Sequence, residues 1–228
     1  MVTAQLSISL DGFYSGPEHL DAGFHRVTRW VIDTLAWRER HGFEEGERSV
    51  NSEVVAELQD AAGAYVMGRR MFDLGEEPWG DTPPFRAPVF VVTHRPREPL
   101  ARKGGTTFTF VTDGIESALE RAAAMAAGRD VAIAGGGSLL RQVLRGGLLE
   151  QLDLHIASVL IGRGMRLFED ADAEPLELTP TRVIATPEVT HIRYQVEGPA
   201  ALTLDDRGRG TTMFESDVEN GSAAPSPP

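Results

Sequence analysis

The chain opens on alternation. Across residues 4–10 (Ala-Gln-Leu-Ser-Ile-Ser-Leu) Leu6, Ile8 and Leu10 share one face, the period-two mark of a strand half-buried on a core. Asp11-Gly12 ends that strand as a turn. From 13 to 50 the periodicity lapses. Phe13, Tyr14, Phe24, Trp30, Trp37 and Phe43 are scattered among glycines and charges, which reads as an irregular stretch whose aromatics cover the core or line a pocket. Asn51 is placed to cap a helix through about Ala61, with Val54, Val55 and Leu58 inward. Ala64–Met67 predicts a buried strand closed by Gly68-Arg69-Arg70, and residues 76–87, with Trp79, Gly80 and three prolines, predict a loop.

The second half is more regular. Val89–Thr93 and residues 106–112 are strongly β-prone runs. Asp113 with Glu116 has the spacing of a capping box, for a helix whose face is Ile115, Ala118, Leu119, Ala122 and Met125. Val131–Ala134 is a short apolar run of the fully buried kind. Gly135, Gly136 and Gly137 follow at once, and Ser138 is then a candidate cap for a helix lined by Leu139, Leu140, Val143 and Leu144. Residues 152–161 predict a long strand, and 177–185 with 189–196 a final antiparallel pair around Thr186-Pro187. Helices alternating with strands predict an α/β fold, a mostly parallel sheet covered on both faces, with the last pair as an antiparallel edge. The organised part spans 1–197; residues 198–228 turn charged and then Gly/Ser/Ala/Pro-rich, which reads as a flexible C-terminal tail.

Composition narrows the partners. Formal net charge is −12, against nucleic acid or an anionic membrane as a partner. No apolar run suits a membrane span and no signal pattern opens the chain, so a cytoplasmic location is expected. Cysteine is absent, and His19, His25 and His41 lack metal-ligand spacing, so no metal is expected. Against such a negative background the few basic clusters are informative.

Three strand ends carry them or their equivalent: Gly68-Arg69-Arg70, Thr93-His94-Arg95 and Gly135-Gly136-Gly137-Ser138. Taken alone, the glycines make either a phosphate cradle or a tight turn, and the paired arginines either a ligand site or a solvated strand end. If the strands are parallel, all three clusters share one sheet edge, where such sheets bind ligands. Glycine amides for a pyrophosphate and guanidinium forks for a further phosphate suit NADPH better than NADH.

Val66-Met67-Gly68-Arg69-Arg70, the strand ending Thr93-His94-Arg95, and Ile133-Ala134-Gly135-Gly136-Gly137 resemble the dihydrofolate reductase fold in order and spacing. Ser9-Leu10-Asp11-Gly12 and Leu160-Ile161-Gly162-Arg163-Gly164-Met165-Arg166-Leu167-Phe168 resemble one branch of it, the reductase domain of the riboflavin-pathway deaminase-reductase and its stand-alone relatives. That resemblance, over residues 4–197, implies an eight-stranded sheet, bound NADPH and a homodimer. It places Gly68, Arg69 and Arg70 at the cofactor phosphates, Thr93, His94 and Arg95 by the adenosine ribose and its 2′-phosphate, and Gly135 to Leu139 at the pyrophosphate. Asp11 matches an aspartate that helps bind substrate, and is the first candidate for a catalytic or anchoring group; Asp33, Glu53, Glu76 and Trp79 are further candidates for the substrate pocket. The chain departs from the pattern in two places. Ser52 stands where dihydrofolate reductase carries an acid, with Glu53 beside it, and Ala134 stands where the riboflavin enzymes carry a glutamate. The chemistry implied is hydride transfer to a C=N or C=O carbon of a pteridine or ribosylaminopyrimidine. The departures leave a second reading, a non-catalytic nucleotide- or flavin-binding protein of the same fold. His155, in mid-strand, reads as a satisfied core histidine.

Overall fold

A computed structural model describes residues 1–18, 22–168 and 176–197. The tail expected at 198–228 and His19 lie outside the described residues. The strands are β1 (Val2–Ser9), β2 (Phe13–Ser15), β3 (Ala62–Gly68), β4 (Val89–Val92), β5 (Leu100–Ala101), β6 (Thr107–Val111), β7 (Asp130–Ala134), β8 (Gln151–Ala157), β9 (Met165–Arg166), β10 (Leu178–Ala185) and β11 (Val189–Val196). The helices are α1 (Ala22–Ile32), α2 (Leu35–Arg40), α3 (Val50–Ala61), α4 (Arg69–Trp79), α5 (Ile115–Met125) and α6 (Gly137–Arg145).

The main sheet has nine strands in the order β10-β11-β8-β1-β7-β3-β4-β6-β5. From β8 to β6 every neighbouring pair is parallel, so the carboxyl ends of those strands share one edge. The outer pairs β8–β11, β10–β11 and β5–β6 are antiparallel. The expected eight strands are all present, and the ninth is the two-residue β5. The chain runs outward from β1 through β3, β4 and β6, then returns by α5 to insert β7 between β1 and β3. Loops leaving β1, β7 and β3 therefore diverge at the place where such sheets open a ligand crevice.

Each face has its own core. α5 and α6 bury Ala118, Leu119, Ala122, Leu139, Leu140 and Val143 against Ala4, Ile8, Val66, Ile133 and Leu154. On the other face α4 buries Phe72 against Met67, Val91, Phe108 and Phe110, and Trp30 of α1 packs with Val55 and Val189.

Several element ends differ from the sequence reading, each for a local reason. The irregular stretch contains α1 and α2; Gly23, Val27 and Trp30 form the buried stripe of α1 at helical spacing. Its aromatics pack on the chain itself, with Trp37 stacked on His41 at 3.7 Å between centroids. Helix α3 begins two residues earlier than expected because Ser49, not Asn51, accepts from Ser52 N. Asn51 is buried within the first turn. Glycines cap two helices where side chains were expected. Gly114, at φ +99°, precedes α5, while Asp113 pairs with Arg121 at 2.7 Å. Gly136 precedes α6, and Ser138 is exposed inside it. Helix α4 runs to Trp79 through the stretch expected as loop, with Pro78 in its last turn. Met125 and Leu10, both expected inside, are exposed, and β8 stops at Ala157.

Candidate cofactor and substrate site

Three neighbouring strands, β7, β3 and β4, end level with one another. Met67 pairs with Ala134 and Gly68 with Val92, so Gly135 comes level with Gly68, and Arg69 with Thr93 one residue on, along a shelf. The sequence-predicted cofactor residues are thus brought together on one rim. β1 overruns this shelf. Ala4 pairs with Ile133, one residue from the end of β7, and β1 continues to Ser9, roughly four residues or ~13 Å past the shelf. Asp11 follows the end of that overhang by two residues.

Gly135 needs its φ of +88°, and a Cβ there would meet Met71 Sδ at 1.9 Å. A Cβ on Gly137 would meet Tyr14 Cε1 at 2.7 Å. These two glycines accommodate the chain's own Met71 and Tyr14; only Gly136 and, across the shelf, Gly68 have open space where a Cβ would stand. Leu139 is buried in the core, and its amide donates to Gly136 O at 3.1 Å, which takes it out of the anion-binding set. Among the described residues the amides of Gly137 and Ser138 donate to no backbone acceptor outside the helix, and they stand at the positive end of α6.

The basic side of the shelf is tightly organised. Thr93 Oγ1 accepts from Arg95 N at 3.0 Å and fixes the turn after β4. Arg69, the first residue of α4, donates through Nε to Asp73 Oδ1 at 2.6 Å, and Arg95 Nη2 donates to Asp73 Oδ2 at 3.0 Å. Arg69 also lies over the Phe72 and Phe110 rings, 5.9 and 5.7 Å from their centroids. Arg70 and His94 are exposed and make no side-chain hydrogen bond or ion pair among the described residues.

Asp11 is engaged by the chain. Its carboxylate accepts from Ser9 Oγ at 2.5 Å, from Gly162 N at 2.7 Å and from Ile161 N at 3.1 Å. Arg166 Nη1 donates to Asp11 O at 3.1 Å, and Leu167 N to Gly12 O at 3.1 Å, so the segment after β8 is fastened across the β1–β2 turn. The Ser9 hydroxyl above all, then the two backbone amides, hold the Asp11 carboxyl down to about 2 against the opposing effect of partial desolvation. It is ionised near neutrality and is an acceptor, not a proton donor. Beside it a pocket of about 260 Å³ is lined by Gly16, Pro17, Gly23, Arg26, Ile161 and Arg163.

Of the other substrate candidates, two are engaged by the chain and two are exposed. Trp79 packs on Phe85 and Phe108, at the amino ends of β4 and β6 and so on the edge away from the rim. Glu76 is bound by both Arg97 Nη atoms, at 2.6 and 2.8 Å. Asp33 and Glu53 are exposed, and Ser52 is buried with its hydroxyl accepting from Ala36 N at 3.1 Å. That bond joins α2 to α3.

Sequence reasoning missed Met71 and Asp73, and named Tyr14 only among the scattered aromatics that cover the core or line a pocket. The i, i+4 spacing of Arg69 and Asp73 was the available signal for Asp73, readable once Arg69–Trp79 is recognised as helix.

With this geometry in hand, comparison with known proteins decides the family. The profile described as the RibD C-terminal domain matches residues 1–192. The chain belongs to the RibD C-terminal domain family. No curated protein matches it in sequence. Among solved structures, a putative riboflavin biosynthesis protein from Shewanella sp. PV-4 superposes with a TM-score of 0.63 at 19% identity, over 86% of this chain and 99% of the other. A pyrimidine reductase-like protein from Corynebacterium diphtheriae gives 0.53 at 14% identity, over 86% and 91%. The deaminase/5-amino-6-(5-phosphoribosylamino)uracil reductase of Thermotoga maritima gives 0.53 at 15% identity, over 86% of this chain and 56% of that longer one. At these identities the likeness shows the shared fold. This RibD C-terminal domain therefore has the dihydrofolate reductase-like α/β architecture its sequence implied.

Proposed function

We propose that this chain is an NADPH-dependent reductase that transfers hydride to a small heterocycle of the pteridine or ribosylaminopyrimidine type. The observation that carries the reading is the shelf: of three adjacent parallel strand ends, two present Arg69, Arg70 and Arg95 and the third the glycine turn, in a chain of net charge −12. Concentrating cations there, against that background, is the arrangement a polyanionic ligand requires. The residues fit the cofactor. Gly136 and Gly68 leave the backbone open to close approach, and the Gly137 and Ser138 amides are available to a pyrophosphate. Gly68, Arg69 and Arg70 would face the phosphates, and Thr93, His94 and Arg95 the ribose and its 2′-phosphate.

When bound, NADPH supplies the hydride from its nicotinamide ring. The protein's part is placement. Asp11 keeps the segment at 159–167 over the crevice and fixes the wall against which a substrate ring lies. Its ionised state makes it an anchor and assigns the proton that accompanies hydride transfer to another donor, such as solvent.

Titration of the purified protein with NADPH and NADH tests the reading directly. NADPH is expected to bind at least ~10-fold more tightly, the worth of one well-made guanidinium–phosphate contact. Offered ribosylaminopyrimidines and pterins, the protein should then consume NADPH. Equal affinity for the two dinucleotides overturns the cofactor assignment, and NADPH binding without turnover of any such heterocycle overturns the reductase assignment.

A further inference from the structure

We infer that Asp73 is the positioning residue for the adenosine 2′-phosphate site: by bridging Arg95 to Arg69, which thereby reaches this phosphate as well as those beside it, it sets two guanidiniums for the extra phosphate of NADPH and so fixes the preference over NADH. The inference rests on the NADPH reading above and adds a residue to it.

Arg69 and Arg95 come from loops 26 positions apart, one opening α4 and the other following β4. Asp73 gives one carboxylate oxygen to each, Oδ1 to Arg69 Nε and Oδ2 to Arg95 Nη2. Without that bridge nothing holds the Arg95 guanidinium, whose side chain is 68% exposed. A long side chain of this kind retains most of its rotamer freedom, and a phosphate would have to order it on binding. With the bridge, that ordering is done beforehand. Arg69 is held twice more, by Nη1 donating to Arg95 O at 3.4 Å and by the Phe72 and Phe110 rings beneath it.

Asp73 also lies on the correct side. It is one helical turn into α4 from Arg69, whereas the open rim lies at the start of that helix, so the carboxylate approaches the arginines from behind. Arg69 Nη2, Arg95 Nε and Arg95 Nη1 have no partner among the described residues. These N–H groups remain for a ligand. The same carboxylate leaves the pair with a net charge of +1, enough to attract an anion without two bare guanidiniums repelling each other.

The inference gives a sign opposite to that of simple electrostatics. Removing a negative charge beside a phosphate site strengthens phosphate binding if charge alone matters. If Asp73 positions the arginines, Asp73→Asn instead weakens NADPH binding, by about tenfold, because one side-chain oxygen cannot hold both guanidiniums. NADH, which lacks the 2′-phosphate, should change by less than about twofold. Asp73→Glu, which keeps the charge and the i, i+4 reach, should restore most of the NADPH affinity. The measurement is the dissociation constant of NADPH and of NADH for wild type, Asp73→Asn and Asp73→Glu at one ionic strength, by titration calorimetry. Unchanged or tighter NADPH binding by Asp73→Asn overturns the inference, as does equal weakening of both dinucleotides. If the wild type itself binds the two dinucleotides equally, the NADPH reading fails first, and that is seen before any variant is compared.

Discussion

The arginines of the rim and the histidines under α1 meet the same demand, a partner for each polar atom, with very different margins. At the rim, Asp73 and Glu76 hold Arg69, Arg95 and Arg97 with side chains between 21% and 68% exposed, and water stands ready to replace any bond that opens. Under α1, His155 of β8 and His191 of β11 sit opposite each other in the ladder and are almost wholly buried beside the Trp30 ring. Their bonds form one directed chain. Asn51 Nδ2 donates to Glu188 at 3.5 Å, which turns Asn51 Oδ1 toward His191 Nε2 at 3.0 Å; His191 Nε2 must then donate. His191 Nδ1 is left as the acceptor for His155 Nδ1 at 2.8 Å. The chain ends on His155 Nε2, a buried lone pair with no partner among the described residues. The expected satisfied core histidine is satisfied on one side only. One assembly is built to exchange partners and the other has none to spare.

The comparison is broken most directly at Asn51. Asn51→Val removes the acceptor and fills its space, so water cannot take its place. Whichever tautomers the two histidines then adopt, two buried ring nitrogens lack partners where one did before. Urea unfolding should register a loss of about 2–3 kcal/mol, the cost of an unmet buried polar group. A loss below ~1 kcal/mol would show that the buried chain carries no more than a surface contact.

Acid probes the same region next. Burial, with the neighbouring His191 and Arg193 charges, pushes His155 down to about 3, and burial also lowers His191 and His41. The unfolded chain binds the proton that the folded chain refuses. Stability is therefore full above about pH 6.5 and falls as the pH drops from there toward 3. Between pH 7 and pH 5 His155 alone accounts for about 2 kcal/mol. Asp11 acts later: its folded value near 2 lies below the usual carboxylate range, so its contribution is lost only as the pH falls from about 4 toward 2. A flat stability profile from pH 7 to 5 would contradict the burial of a neutral imidazole pair, and His155→Phe should flatten the wild-type slope.

The two regions also differ in how far they could be read from the residues. The rim was legible because its parts are punctuation. Gly68, Arg69 and Arg70 follow one apolar run, Thr93, His94 and Arg95 another, and the glycines a third, so parallel pairing alone puts them side by side. What the sequence hid there is what the glycines serve: Gly135 and Gly137 make room for Met71 and Tyr14, which arrive from α4 and β2. Asp73 was hidden because it lies between the strand closed by Gly68-Arg69-Arg70 and the loop expected at 76–87, a stretch assigned to no element, while the structure packs Trp79 on Gly75 and carries a helix through both. The histidine chain was illegible for a different reason. Asn51, His155 and His191 are 140 residues apart at the extremes, and nothing local in any of them specifies its partners. Asn51 reads as a cap, and only the neighbouring Ser49 taking that role frees its side chain for His191.

The smallest effect is expected at the rim pair with the best geometry. Arg97 places both Nη atoms on Glu76, at 2.6 and 2.8 Å, against 2.8 and 3.0 Å for the two bonds that His191 makes in the interior. Two short bonds between full charges make it the better contact by geometry. Its side chains are 36% and 31% exposed, however, so both ions keep much of their hydration and the exchange of water for partner is nearly even. Glu76→Gln leaves the Arg97 guanidinium over the Phe72 and Phe110 rings and should cost less than ~1 kcal/mol, shrinking further in ~1 M salt, where screening reaches a few ångströms. Should it cost as much as Asn51→Val, bond length and not burial would rank these networks, and the contrast between rim and interior would be lost.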